Sequence, residues 1–184
     1  NTEIISVDLA VVYKGIKIGS AKPDSETLKL APHRMIDIRE PHEIFSAADF
    51  AAEALPHMHA LSEQGKIPLL VGGTGLYFRA LIQGLSEMPA ADAQVRSVLK
   101  AKAEAEGWSA MHMQLQSVDP ISAARIHPND PQRILRALEV YTVSGKSLTD
   151  WQAETQLKPF PFRVLEIVLA PEDRTILHER IELR

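Results

Sequence analysis

The sequence predicts an α/β fold, a parallel-sheet core interrupted by an all-helical insertion, and three observations predict it. An apolar run, Ile67-Pro68-Leu69-Leu70-Val71, feeds straight into the glycine turn Gly72-Gly73-Thr74-Gly75 and a helical stretch from Leu76 to Ile82. Residues 85–158 then read as helices in series. Strand texture returns at Val164 to Leu169 after Pro159 and Pro161. Strand, helical excursion and strand describe one sheet domain, 1–84 and 159–184, carrying an insertion at 85–158.

Taken in order, Ile4, Ile5, Ser6, Val7 and Asp8 form a short buried strand that ends in a carboxylate. An apolar strand so close to Asn1 implies a further segment before it, and the charged pattern Arg174 to Arg184 has no stop signal. Arg34 to Ile38 resembles a second, weaker strand. Ser46 is placed to cap a helix from Ala47 to about Gln64. Phe50, Ala54, Leu55, Met58 and Leu61 fall at helical spacing there, and Gly65 stops it. The run 67–71 is of the kind central parallel strands show.

After the linker Met88 to Asp92, alanine-rich helix formers run through Glu106, Gly107 ends them, and Trp108 to Gln116 begins another helix. Asp130-Pro131 opens a third, with the aspartate as N-cap and the proline at the first helical position, and Gly145 closes it. Pro171 starts the last helix.

The 184 residues carry a formal charge of -4, which argues against a general, charge-driven nucleic-acid binder but leaves room for a local basic patch. There is no cysteine, so disulfides and thiolate metal sites are excluded, which fits a reducing cytosol. No apolar run reaches the length of a membrane span. The seven histidines are scattered. His57 and His59 point to different faces of their helix, so no protein-built metal site is expected. Trp108 and Trp151 read as core or hinge packing.

Chemistry is best placed at the glycine turn. Ligands of open parallel sheets sit beyond the carboxyl ends of the strands, where glycines admit backbone amides to an anion and a helix N-terminus adds a favourable field. Thr74 puts a hydroxyl there. The plainer alternative is a tight strand-to-helix connection. Asp8 ends another strand at the same edge, suited to take a proton from an incoming amine. Its plainer alternative is an N-cap or turn aspartate. On the helix opened by Pro131, Gln132 and Arg136 are four apart and Arg133 and Arg136 three apart, suiting phosphate or base contacts. Ile134, Leu138 and Tyr141 form another stripe, read as core. Arg96, Lys100 and Lys102 are read as a solvated charged face or as RNA contacts.

These residues bring out a resemblance. Ile5-Ser6-Val7-Asp8, Tyr13-Lys14-Gly15, Ile18-Gly19-Ser20-Ala21-Lys22-Pro23, Pro32-His33-Arg34, Phe45 to Phe50, Pro68 to Tyr77 and Ala124 to Arg133 together resemble the tRNA dimethylallyltransferase family, in order and from end to end. The resemblance implies a P-loop-type α/β core with a helical insertion, and transfer of a dimethylallyl group from dimethylallyl diphosphate to the exocyclic amine of an adenine beside the tRNA anticodon. It further implies Mg2+ to neutralise the diphosphate, a cytoplasmic monomer, and no membrane.

By the same resemblance Asp8 is the general base, Thr74 and Arg184 lie in the reaction channel, and Gly72, Gly73, Thr74 and Arg184 bind diphosphate. Asp8, Leu9, Ala10, Val11, Thr74, Arg96, Gln132, Arg133, Ile134, Leu135 and Arg136 touch the tRNA. The sequence also departs from the pattern. The diphosphate-cradling Gly-x-x-x-x-Gly-Lys-Ser/Thr loop is expected before Asn1, and further tRNA contacts after Arg184. Leu9 stands where the family usually has serine, and Lys17 where it has aspartate. These departures imply that residues 1–184 are inactive alone. The rivals are a P-loop small-molecule kinase, a free-adenylate prenyltransferase, and a truncated tRNA-binding relic.

Overall fold

The computed structural model describes residues 1–86, 88–154 and 159–183. The chain divides into two compact units, Asn1–Gly84 with Lys158–Arg184, and Leu85–Leu157.

The first unit is built on a three-stranded parallel sheet of β1 (Thr2–Ser6), β2 (His33–Arg34) and β3 (Ile67–Val71), in the order β2-β1-β3. Register pairs Ile5 with Arg34 on one side and Ser6 with Val71 on the other, so β1 and β3 end level. Helix α1 (Ser25–Leu30) lies between β1 and β2, α2 (Ala47–Glu63) between β2 and β3, and α3 (Gly75–Gln83) follows β3. Ser46 opens α2 with a full capping box: its hydroxyl accepts from the Asp49 amide, and the Asp49 carboxylate accepts from the Ser46 amide. Phe50, Ala54, Met58 and Leu61 turn inward and meet Ile5, Val7, Tyr77 and Leu81 in one core. Phe50 stacks on Tyr77 at 4.6 Å between ring centroids.

Four sequence expectations need correction here. The strand expected over Arg34 to Ile38 is only the pair His33–Arg34, because Met35 (φ 66°) and Asp37 (φ 54°) take left-handed backbone that breaks a ladder. That segment instead returns its amides to the loop after β1, from Asp37 to the Val11 carbonyl and from Ile38 to that of Val12. The apolar run 67–71 pairs only with β1 among the described strands, and Ile67, Leu69 and Val71 stay exposed on one face. Within the described sheet this strand therefore lies at one side. The return strand expected over Val164 to Leu169 has no ladder partner among the described residues, and Leu165, Val168 and Leu169 are more than four-fifths exposed. A strand without a neighbour has no place for its amides except water. The last helix, α9 (Arg174–Glu182), starts at the Asp173 cap rather than at Pro171.

The second unit is all helix among its described residues: α4 (Ala93–Glu106), α5 (Trp108–Val118), α6 (Pro120–Arg125), α7 (Pro131–Ser144) and α8 (Leu148–Glu154). Asp92 caps α4, Asp119 caps α6 and Asp130 caps α7, with proline at the first turn of the last two. Gly145 closes α7 in the left-handed conformation at φ 69°. Met111, Leu115, Ile134 and Leu138 form its core. Sequence periodicity missed α6 and α8 because each is two turns or fewer, too short to display a repeat.

Candidate active site and nucleic-acid face

At the carboxyl rim of the sheet, the loop after β1 and the turn after β3 are joined by backbone hydrogen bonds. The Val7 amide donates to the Val71 carbonyl at 2.7 Å, and the Thr74 amide to the Val7 carbonyl at 3.2 Å. The Leu9 amide then donates to Thr74 Oγ1 at 3.0 Å. This turns the Thr74 hydroxyl oxygen away from the helix it precedes, so α3 has no side-chain cap. Amides at an uncapped helix start are donors in want of an acceptor, which is what an anion site requires.

Asp8 is half-buried beside this link. Its Oδ1 accepts from the Ala10 amide at 2.8 Å and the Val11 amide at 3.2 Å, while Oδ2 accepts no hydrogen bond from the described residues. The turn thus occupies one oxygen of the carboxylate and leaves the other open among the described residues. Gly72 answers to the structural alternative: a Cβ there would overlap the Val7 carbonyl, so β1 and β3 approach this closely only over a glycine. Gly73 has open space where its Cβ would be. Of the other residues expected at this rim, Leu9 and Ala10 are accessible, but Val11 is buried. Its side chain packs and its amide braces Asp8. Arg184 lies outside the described residues.

In the helical unit, Arg96, Lys100, Trp108, Pro131, Gln132, Leu135 and Arg136 line a cavity of about 420 Å³. Trp108 both packs against the core and walls this cavity. The face expected on α7 is divided. Gln132 and Arg136 share the cavity, whereas Arg133 stays outside it, 73% exposed and 3.3 Å from Asp130 Oδ2. Ile134 is wholly buried and Leu135 nearly so, and both belong to the core, because each lies on the apolar stripe rather than the polar face. Leu135 also lines the cavity. Lys102 points to Gln114 and Glu106.

Sequence reasoning missed Glu139. Its side chain has no exposed surface, yet it bonds Arg96, Arg136 and the Asp92 amide. Burial works to raise its carboxyl pKa, but the bonds from Arg96, Arg136 and Asp92 prevail and hold it below the ordinary value. The available signal was a glutamate inside the apolar run Ala137-Leu138-Glu139-Val140, three residues after an arginine. Asp119 was missed likewise. It accepts from the Ser122 amide, the Thr149 amide and the Thr149 hydroxyl, which outweigh burial and lower its pKa.

Residues 11–184 match the family model described as IPP transferase. The chain belongs to that family. Among solved structures it is similar to the full-length tRNA isopentenylpyrophosphate transferase of Bacillus halodurans. That match is 43% identical, covers 79% of this chain and 48% of that one, and has a TM-score of 0.47. The tRNA isopentenylpyrophosphate transferase of Staphylococcus epidermidis is 39% identical over 82% of this chain and 49% of that one, with a TM-score of 0.45. A eukaryotic dimethylallyltransferase, captured acting on tRNA, is 27% identical over 87% of this chain and 40% of that one, with a TM-score of 0.70. This IPP transferase chain therefore spans about half the length of those relatives, or less. The α/β class with a parallel sheet, read from the sequence, holds. No described helix is long and apolar enough to cross a membrane.

Proposed function

We propose that the protein to which this chain belongs transfers a dimethylallyl group from dimethylallyl diphosphate to the exocyclic amine of an adenine next to the anticodon of tRNA. The family match over residues 11–184 carries this reading. It is supported by the meeting of Asp8 and Thr74 at one rim through the Leu9 amide. An adenine amine is a weak nucleophile, so the reaction needs three things at one point: a stabilised leaving group, a developing allylic cation, and a base. The allylic carbon–oxygen bond breaks and its electron pair leaves with the diphosphate. The amine nitrogen forms the new carbon–nitrogen bond and gives up a proton to Asp8 Oδ2.

In this reading the open amides at the start of α3 and the Gly72–Gly73 backbone face the anionic diphosphate, and Thr74 positions it. Arg184 completes its grip with charge-assisted hydrogen bonds. The adenine reaches the rim only after leaving its stack. Gln132, Arg133, Arg136 and Arg96 contact tRNA, and the protein acts as a cytoplasmic monomer.

Bound Mg2+ would neutralise diphosphate charge. Among the described residues no group of three or more His, Cys, Asp or Glu side chains is placed to hold an ion. Asp8, the carboxylate at this rim, already spends one oxygen on two amides. In this reading magnesium enters as a companion of the diphosphate.

The test is incubation of the full-length protein with dimethylallyl diphosphate, magnesium, and either tRNA or free adenine nucleotide. Prenylated adenine in tRNA is expected. Product on the free nucleotide alone identifies a small-molecule prenyltransferase, and no product with either leaves a tRNA-binding relic.

A further inference from the structure

Glu139 sits in the apolar stripe of α7 between Leu138 and Val140, and all three are at most 1% exposed. A buried carboxylate is costly unless partners satisfy it, and an apolar residue usually serves stability as well. Here one carboxylate gathers three donors from three segments. Oε1 accepts the Asp92 amide at 3.0 Å, just before α4. Oε2 accepts Arg96 Nη2 of α4 at 2.8 Å and Arg136 Nη1 of α7 at 3.2 Å. Arg136 uses its other nitrogen, Nη2, on the Pro89 carbonyl at 2.8 Å.

Neither guanidinium is consumed by these bonds. The side chains of Arg96 and Arg136 keep 40% and 35% of their surface exposed, and both wall the cavity with Lys100, Trp108 and Gln132. Arg96 even buries its Nε without a partner among the described residues while its head stays on Glu139. An orphaned donor is a cost that free rotation to solvent would remove. The arrangement gives up some stability and in return fixes two cations at one opening.

We infer that Glu139 is a positioning residue for RNA binding: it locks the guanidinium groups of Arg96 and Arg136 at the cavity so that backbone phosphates meet donors already in place. Ordering two arginine side chains before the ligand arrives removes that entropy from the binding step. The inference rests on the tRNA reading above. It also makes a prediction opposite in sign to simple electrostatics. Removing a negative charge beside two arginines should tighten RNA binding by Coulomb's law, whereas losing the clamp should weaken it.

The test uses the full-length protein, an RNA hairpin of anticodon stem-loop type, and a series of salt concentrations. Glu139→Gln is expected to bind the hairpin about tenfold more weakly, the scale of one lost charge-assisted bond. KM for tRNA should rise while kcat at saturating tRNA stays unchanged. Binding that is equal or tighter overturns the inference, and so does a fall in kcat at constant KM, which marks a purely structural role. Circular dichroism checks folding. Should Glu139→Gln fail to fold, Glu139→Asp decides: charge is kept, so electrostatics predicts no change, while the shorter reach loosens the clamp and weakens binding. Unchanged affinity of the aspartate variant then overturns the inference. Arg96→Ala and Arg136→Ala separate the two layers. Weaker binding in both, with Glu139→Gln unaltered, removes Glu139 alone. No effect in either removes the RNA face and the clamp with it.

Discussion

The rim of the sheet and the cavity of the helical unit present polar groups by different means. At the rim the backbone does the placing: Val7, Leu9 and Thr74 amides fix the loop and the turn, and Asp8 is braced by two amides of its own loop. At the cavity a buried carboxylate does it, holding two long, flexible side chains from two helices. Backbone placement costs little extra entropy, since those amides lie within a few residues of strand ends that already fix the chain. Side-chain placement needs an anchor, because each arginine otherwise retains about 2 kcal/mol of rotamer entropy. The difference suits the two tasks proposed for them: bond-making tolerates little displacement, and gripping a phosphate backbone tolerates more.

The largest expected effect tests whether the rim is chemical at all. Asp8→Ala in the full-length protein should lower turnover by roughly 10²–10⁴-fold if general-base help is lost. Asp8→Asn sharpens this, because an amide oxygen still accepts from Ala10 and Val11 while the base is gone. Equal losses in both variants, measured as kcat in steady state, assign the effect to proton transfer; a normal Asp8→Asn enzyme makes Asp8 only a turn residue.

Next is Gly72→Ala, where the added methyl meets the Val7 carbonyl. Overpacking of this kind costs about 1–3 kcal/mol, and the thermal midpoint should fall. A wild-type melting curve would mean that β1 and β3 are not held this closely.

On the helical side, acid should act through buried carboxylates. Asp119 and Glu139 are held below their ordinary values, so their stabilisation is complete above the unfolded carboxylate range and is lost as pH falls through the lower folded values. Unfolding midpoints should therefore drop on acidification below about pH 4, and Asp119→Asn should flatten that limb relative to wild type. An unchanged acid limb would show that the Asp119 bonds contribute nothing to the pH dependence.

The smallest effect is expected of Arg133, exposed and paired among the described residues only with its own helix cap. Arg133→Ala should weaken RNA binding modestly and reduce the salt slope by roughly one. An identical slope returns Arg133 to the solvent and leaves the proposed RNA face of α7 to the cavity residues Gln132 and Arg136.

Much of this was legible along the chain. The Ser46 capping box, the Asp130-Pro131 start and the Gly145 stop are local devices, and each lies where its residues announced it. The meeting of Asp8 and Thr74 was legible for a related reason: both follow parallel strands directly, and parallel strands deliver their ends to one edge. Expectations failed where position depends on neighbours. The run 67–71 is apolar throughout yet lies at one side of the described sheet, and Val164 to Leu169 has strand composition without a ladder partner among the described residues. Composition reports what a segment tolerates, not which partner it finds.

By itself, then, the sequence determined the α/β class, the capped starts of α2 and α7, the family, and the residue types gathered at the rim, all of them properties of short-range order. Only the tertiary structure decided which arginines face a cavity, which α7 residues are core, and that Glu139 joins Asp92, Arg96 and Arg136 across 47 residues of chain. Those facts depend on which side of one helix meets another, and a one-dimensional pattern gives the face a side chain occupies without giving what waits opposite it.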